Sequence, residues 1–293
     1  MKTDNLNKEK EIVPGCLYLC ATPIGNLEDL TLRALRILKE ADLIAAEDTR
    51  HTRKLLSFYD IHTPLTSYYE HNERDKAQQL INEIKKGKSI ALVSDAGTPG
   101  ISDPGHRLVV LAIQEELKVI PVPGASAVIA AVTSSGLSTE RFAFEGFLPR
   151  GKKERDQIIN QIPSEERTLV FYESPHRVVK TLQDILNVAG DRSVAVAKEL
   201  TKLHEQVIRG KISVVLEHFQ NNKPRGEFAI VLEGCKQTPK ELPNRSSAEI
   251  YQLVFNLISI GVDKKTAIRE IAKSTGLGKR EVYNAVLLGE DKR

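Results

Sequence analysis

Apolar residues along this chain fall in two rhythms. Short runs rich in branched residues, at 17–21, 43–46, 90–93 and 119–122, have the length and composition of buried strands. Between them apolar residues recur three and four apart, the spacing of a helix with one inward face. Leu27, Leu30, Ala34, Leu35, Leu38 and Ala41 share one such face, and Ala77, Leu80, Ile81 and Ile84 mark another helix over about 73–86. A basic helix is expected from His51, and one carrying Leu108, Leu111 and Ala112, with Glu115 and Glu116, after the run at 90–93. Strands and helices alternating at this spacing predict a parallel, doubly wound sheet.

The second half is more mixed. Strands are expected at 142–147, 169–173, 194–197 and 228–232, and helices at 151–161 and 178–189, which predicts a mixed sheet with helices packed on it. The polar stretch 236–247 contains Pro239 and Pro243 and reads as a linker. Beyond it come an amphipathic helix at 248–260, a helix that Asp263 can cap and that carries Ala267, Ile268, Ile271 and Ala272, a tight turn at 275–278, and a helix at 279–288. That arrangement resembles a helix-turn-helix unit. The expected organisation is a disordered tail at 1–12, an α/β domain at 13–122, a second α/β domain at 123–236, a linker at 237–247 and a helical module at 248–293.

Composition narrows the class. Charged residues at 28% and hydrophobic residues at 41% describe an ordinary globular protein. A net charge of +3 leaves any nucleic-acid contact to local clusters. Cys16 and Cys20 have the same parity within one strand, so they should share a face as buried thiols in a reducing compartment, with a metal site the lesser alternative. The histidines show no metal-binding spacing, residues 1–12 have no apolar core for a signal peptide, and no apolar run has membrane-spanning length. A cytoplasmic protein without a metal is expected.

The candidate chemistry centres on residues 94–105, Ser-Asp-Ala-Gly-Thr-Pro-Gly-Ile-Ser-Asp-Pro-Gly, between a strand and a helix. Its glycines permit positive φ while its prolines fix the chain, giving a side-chain-poor rim at a strand's carboxyl end, where open α/β sheets bind ligands. The Rossmann fingerprint is missing, since residues 22–31 hold one glycine where three are needed, and no Gly-Lys-Ser/Thr follows a strand. Loops of small residues with a few acids remain, and these can wrap an adenosine-type ligand through backbone groups and a carboxylate.

With Thr-Pro-Ile-Gly-Asn-Leu at 22–27, Glu-Asp-Thr-Arg at 47–50, Pro-Val-Pro-Gly-Ala-Ser at 121–126, Tyr-Glu-Ser-Pro-His-Arg at 172–177 and Ala-Lys-Glu-Leu-Thr at 197–201, the stretch resembles the tetrapyrrole methylase-like class of S-adenosylmethionine enzymes. Within that class it is similar to the branch that methylates small-subunit ribosomal RNA. The resemblance implies two α/β domains with the cofactor in a cleft between them, a homodimer, and methyl transfer to the 2′-hydroxyl of a cytidine ribose. Tetrapyrrole-methylating relatives carry a Gly-x-Gly first loop and a Gly-Asp-Pro central loop, where this chain has Pro-Ile-Gly and Gly-Thr-Pro. Carried over residue by residue, the cofactor should touch Gly97, Thr98, Gly100, Ile101, Ser126, Ala127, Tyr172, Leu200, Glu227 and Phe228, with Pro23 and Gly25 as the floor nearest the methyl group.

A ribose hydroxyl needs an acceptor for its proton. Glu47, Asp48, Glu173 and Glu199 fall at expected strand ends, and Lys198 could tune a neighbour; the candidate catalytic residues are Glu199, Lys198 and Glu47. Lys198 and Glu199 could equally form a surface pair. Phosphate contacts are expected from Arg50, Arg53 and Lys54, from Arg150, Lys152, Lys153 and Arg155, and from His176, Arg177 and Lys202, with Lys264, Lys265, Lys279 and Arg280 assisting from the helical module. A small-molecule methylase on the same fold and a non-enzymatic nucleic-acid-binding regulator are the alternatives.

Overall fold

The computed structural model describes residues 12–235, 246–275 and 277–290. The expected tail up to residue 11 and most of the expected linker therefore lie outside the described residues. The chain divides into two compact units, Met1–Cys235 and Lys236–Arg293.

The first unit contains two five-stranded sheets. Its first half runs β1 (Cys16–Cys20), α1 (Leu32–Glu40), β2 (Leu43–Ala46), α2 (Thr49–Phe58), β3 (Leu65–Ser67), α3 (Glu73–Lys85), β4 (Ile90–Val93), α4 (His106–Gln114) and β5 (Lys118–Val122). The strands pair in the order β3-β2-β4-β1-β5, all parallel. β4 is buried at every position because helices cover both faces of the sheet, which is why its sequence is an unbroken apolar run. Successive residues point to opposite faces. Cys16, Tyr18 and Cys20 pack with Ala34, Ile37 and Leu38 on one side, while Leu17 and Leu92 pack with Leu80, Ile81, Ile84 and Leu108 on the other. The two thiols share the first face, fully buried, and burial pushes the Cys20 thiol up to about 12.

The second sheet is mixed. Its elements are α5 (Ala127–Ser135), β6 (Phe142–Phe147), α6 (Lys152–Ile159), β7 (Thr168–Glu173), α7 (Val178–Ala189), β8 (Ser193–Lys198), β9 (Gln206–Lys211), α8 (Ile212–Asn221) and β10 (Phe228–Leu232). The order is β6-β7-β10-β8-β9, with β6 parallel to β7 and every other pair antiparallel. Phe171, Val196 and Ile230 face Leu182, Ile185, Val215 and Phe219 of α7 and α8, whereas Val170, Ala195 and Val231 face Val128 and Val132 of α5.

Local chemistry explains where elements start and where expectation and structure part. The helix expected over 27–41 is broken. A 3-10 turn at Leu27–Asp29 comes first, and Thr31 then caps α1, its hydroxyl accepting from Ala34 N at 3.1 Å. α2 begins before His51 because Asp48 is its N-cap, accepting from Arg50 N at 2.8 Å. Asp48 is therefore a capping residue rather than a wall of the cleft. β3, α5, β9 and α8 add to the expected elements.

The second unit packs α9 (Ser247–Ser259), α10 (Lys264–Thr275) and α11 (Lys279–Glu290) around Val254, Ala267, Ile271, Val282 and Val286. Ser246 and Glu249 form a reciprocal capping box at α9, and Asp263 Oδ1 accepts from Thr266 N at 3.0 Å. Lys264, Lys265, Lys279 and Arg280 are exposed. No helix among the described residues is long and apolar enough to cross a membrane.

Candidate active-site cleft

The loops leaving β1 and β4 are fastened to each other. Thr22 N donates to Gly97 O at 2.8 Å, Gly97 N donates back to Thr22 O at 3.0 Å, and the Thr22 hydroxyl donates to Ser94 O at 3.1 Å. Gly97 has φ +80°, and a Cβ there would also meet Ile24 Cγ2 at 3.3 Å, so the turn takes glycine for two reasons. The strand ends of both sheets then surround a cleft of about 480 Å³. From the first sheet it is lined by Ile24, Glu47, Asp95, Gly97, Thr98, Ile101 and Asp103, and by Ser126 and Ala127 after β5. From the second come Phe147, Tyr172, Glu173, Ala197, Leu200, Glu227, Phe228 and Ala229.

One wall is aromatic and apolar. Tyr172 packs edge-on against Phe144, with ring centroids 4.8 Å apart, and at a tilt against Phe147 at 5.5 Å, while its hydroxyl accepts from Val128 N at 3.1 Å. Ile101 and Phe147 are 49% and 54% exposed, large apolar surfaces left open in the cleft. The facing wall is acidic. Burial pushes the Asp103 carboxyl up to about 6, with the charge of Asp95 adding to it and the Ser94 hydroxyl opposing. Burial raises Glu47 as well, reinforced by Asp103 and Asp95. No cluster of His, Cys, Asp and Glu among the described residues is placed to hold a metal ion.

A second cavity, of about 570 Å³, abuts the first. Thr22, Pro23, Gly25, His51, Thr52, Lys54, Leu55 and Lys202 line it, and it shares Ile24, Asp95, Ala96 and Glu227 with the cleft.

The structure sorts the residues singled out from the sequence. Gly97, Thr98, Ile101, Ser126, Ala127, Tyr172, Leu200, Glu227, Phe228 and Glu47 line the cleft. Pro23 and Gly25 line the second cavity instead, because the fastened loop turns them away from the cleft, and Gly100 shapes the turn at φ +83° without lining either space. Lys198 and Glu199 line neither. The Glu199 carboxylate lies beneath Gly226, accepting from Glu227 N and from Lys202 Nζ, both at 3.0 Å. Burial pulls the Glu199 carboxyl upward, but these donors and the nearby lysines outweigh it and hold it below its ordinary value.

Several expected phosphate ligands turn inward. Arg155 is 6% exposed and donates to Asp184 Oδ2 at 2.8 Å and to the Thr181 hydroxyl at 3.1 Å, because its position on α6 faces α7. Arg177 donates to Leu148 O at 2.6 Å and pairs with Glu173, so its guanidinium tethers main chain rather than facing solvent. Lys202 is held by Glu199 and Glu227, Lys152 by Asp156, and Arg50 by Asp48. Arg50 and Lys152 make their pairs at the surface and, with Arg53, Lys54, Arg150, Lys153 and His176, remain exposed. Asp95 and Asp103, which form the acidic wall, belong to the 94–105 stretch expected to be a ligand loop with a few acids, but neither was singled out as a site residue.

Comparison with known proteins agrees with this geometry. The family described as Tetrapyrrole (Corrin/Porphyrin) Methylases matches residues 16–215. A ribosomal RNA small subunit methyltransferase I from Halalkalibacterium halodurans is 48% identical over 286 residues, covering 97% of this chain and 98% of its own. The chain belongs to the ribosomal RNA small subunit methyltransferase I family. A member of that family from Thermotoga maritima is 50% identical over 220 residues, 99% of its own length but 75% of this chain, so a quarter of the present sequence has no counterpart in it. Among solved structures, a uroporphyrin-III C-methyltransferase from Thermus thermophilus, complexed with S-adenyl homocysteine, superposes with a TM-score of 0.54 at 21% identity, over 74% of this chain and 96% of that one. At that identity it establishes the shared fold of the family.

Proposed function

We propose that this protein transfers the methyl group of S-adenosylmethionine to the 2′-hydroxyl of a cytidine ribose in small-subunit ribosomal RNA. Membership of the family supports the substrate class. The observation that carries the chemistry is a cleft with one acidic and one aromatic wall, opening onto a second, polar cavity.

The residues present fit the cofactor. The cleft volume falls within the roughly 300–1,000 Å³ of small-molecule sites. Phe147, Tyr172 and Ile101 offer apolar faces to an adenine, and Glu47, Asp95 and Asp103 oppose the positive sulfonium and ammonium of such a ligand. When bound, S-adenosylmethionine supplies an electrophilic methyl group. The protein's part is positional, as in any in-line displacement. The backbone at Gly97–Thr98 and the start of α5 hold the ligand from one side, and the Tyr172 wall holds it from the other. Glu199, Lys202 and Glu227 keep the second-sheet loop fixed against the first, Asn26 N donating to the Thr201 hydroxyl at 3.1 Å across the join. Glu47, Lys198 and Glu199 thus act by shaping the field of the site.

The protein is read as a cytoplasmic homodimer acting on the 30S particle or its RNA. The exposed Lys264, Lys265, Lys279 and Arg280 of the helical unit suit phosphate contacts, and the relative lacking a quarter of the sequence is consistent with an accessory role for part of this chain. The alternative, a tetrapyrrole-type small molecule, is disfavoured by the polar lining of the second cavity, where Thr22, Thr52, Lys54, Asp95, Lys202 and Glu227 stand where apolar walls would suit such a ring.

Incubating the purified protein with labelled S-adenosylmethionine and small-subunit particles tests the reading. Label should enter the RNA, and the modified nucleotide should resist alkaline cleavage because a blocked hydroxyl cannot attack its phosphate. A base-methylated product, or transfer to a tetrapyrrole and to no RNA, would overturn the substrate.

A further inference from the structure

The second cavity is more than an extension of the cleft. Ile24, Asp95, Ala96 and Glu227 wall both spaces, so a molecule in one abuts a molecule in the other. Its positive charge is unevenly committed. Lys202 is occupied by Glu199 at 3.0 Å and Glu227 at 2.9 Å, whereas Lys54 makes no ion pair among the described residues. His51 stands one turn before Lys54 on α2, and both line the cavity. Between them Thr52 is 2% exposed, and its hydroxyl has no hydrogen-bond partner among the described residues. A buried hydroxyl without a partner is uncommon, and because Thr52 lines this cavity a polar group entering it would supply one.

Asp95 occupies the junction. Its Oδ1 accepts from Asp48 N at 3.0 Å, and its other oxygen makes no hydrogen bond among the described residues. Glu47 and Asp103 line the cleft alone, and Glu199 lines neither space. Two carboxylates, Asp95 and Glu227, line both spaces; Glu227 is paired with Lys202 at 2.9 Å, whereas Asp95 has no ion-pair partner among the described residues and is the one left to act at the junction.

We propose that this second cavity receives the acceptor nucleotide, with Lys54 and His51 on its phosphate and Asp95 on its attacking hydroxyl. The proposal rests on the RNA-methylation reading above and adds the subsite and the proton acceptor. The ribose oxygen forms its new bond to carbon and gives its proton to Asp95, while the pair of the broken carbon–sulfur bond stays on sulfur; Asp95 then releases the proton to solvent. The oxygen becomes strongly acidic only as the carbon–oxygen bond forms, so a carboxylate is a sufficient acceptor. Thr52, beneath the phosphate ligands, hydrogen-bonds the same nucleotide.

The test separates binding from turnover. A short fluorescein-labelled, cytidine-containing single-stranded RNA is titrated into the full-length protein without cofactor. Lys54→Glu should weaken its binding at least tenfold and lower the salt dependence by about one counterion. The isosteric Thr52→Val should weaken it severalfold without lowering the melting temperature. Affinity for S-adenosylhomocysteine should be unchanged in both variants. Asp95→Asn retains the acceptor for Asp48 N, so it should keep RNA affinity within about twofold. Losing one of three carboxylates that face the cation should weaken S-adenosylmethionine binding about tenfold, and single-turnover methyl transfer at saturating cofactor should fall by about a hundredfold or more. Wild-type affinity for the RNA in Lys54→Glu, or no measurable binding by wild type, while wild type still methylates particles, would overturn the subsite and leave the RNA reading standing. Transfer at the wild-type rate in Asp95→Asn would overturn the proton acceptor. Wild-type protein that methylates no RNA would overturn the reading itself.

Discussion

The two walls of the cleft handle charge in opposite ways. On the first-sheet side Glu47, Asp95 and Asp103 stand together with no cationic partner among the described residues, and burial holds Asp103 as high as about 6. On the second-sheet side every carboxylate near the cleft is answered. Glu173, 2% exposed, accepts from Ser174 N at 2.9 Å and from the Thr181 hydroxyl at 2.6 Å and pairs with Arg177, while Glu199 and Glu227 share Lys202. A satisfied buried charge fixes geometry, and an unsatisfied one waits for a counterion. The second wall is thus a frame, and the first is the half that a cationic ligand completes.

Crowding the first wall should have the largest effect. Gly97→Val adds a branched side chain at φ +80° against Ile24, so S-adenosylmethionine affinity measured by calorimetry should fall at least a hundredfold, about 3 kcal/mol. Equal affinity in the variant would remove this turn from the site. Breaking the frame comes next. Thr181→Val takes a donor from buried Glu173 and an acceptor from Arg155 and should cost about 2 kcal/mol in urea unfolding, by the penalty for unsatisfied buried groups. An unchanged urea midpoint would mean that the frame is not stiffened through this residue.

The smallest effect titrates the contrast itself. Asp103 binds its proton more tightly folded, at about 6, than at its ordinary 3.8, so the native state holds more protons between those values. Stability therefore declines as pH rises through that window, and the loss persists above it. Asp103→Asn should abolish the loss, making the variant more stable than wild type above pH 6 and giving no advantage below pH 4. Binding a cationic cofactor should tighten as pH rises through about 6 in wild type, with proton release, and the variant should bind about tenfold more weakly at higher pH with a flat profile. A pH-independent wild type would show that Asp103 does not face the bound charge.

Strands buried on both sides were the easiest to find from sequence. Residues 90–93 and 228–232 become β4 and β10 with the expected bounds, because central strands need apolar residues at every position. β9 was not legible in Gln-Val-Ile-Arg-Gly-Lys, since an edge strand alternates and carries charge outward. The break at Leu30–Thr31 was hidden because apolar spacing runs through it, and only the Thr31 cap ends the continuity. Among site residues, glycines and small loop residues could be placed by motif. Arg155 could not, because its partners Asp184 and Thr181 lie on another helix, and a charge run read locally looks solvated. Asp95 differs from Glu199 only in what the folded loops place beside it, and no local signal records that.

The strand order of both sheets also bears on synthesis. In each, a strand made late enters the middle: β4 lies between β2 and β1, and β10 between β7 and β8. A nascent chain that has emitted β1 and β2 carries two apolar strands that are not neighbours and cannot yet pair, and the same holds after β7 and β8. Their edges stay open until the later strand arrives, which exposes the emerging chain to aggregation and to chaperones. The Gly97 turn follows one inserted strand and Gly226 precedes the other, so each side of the ligand cleft is set only when its inserted strand is in place. A half-made or partly unfolded chain accordingly has no cofactor site, and ligand in the growth medium or refolding buffer acts only on molecules in which both insertions are complete.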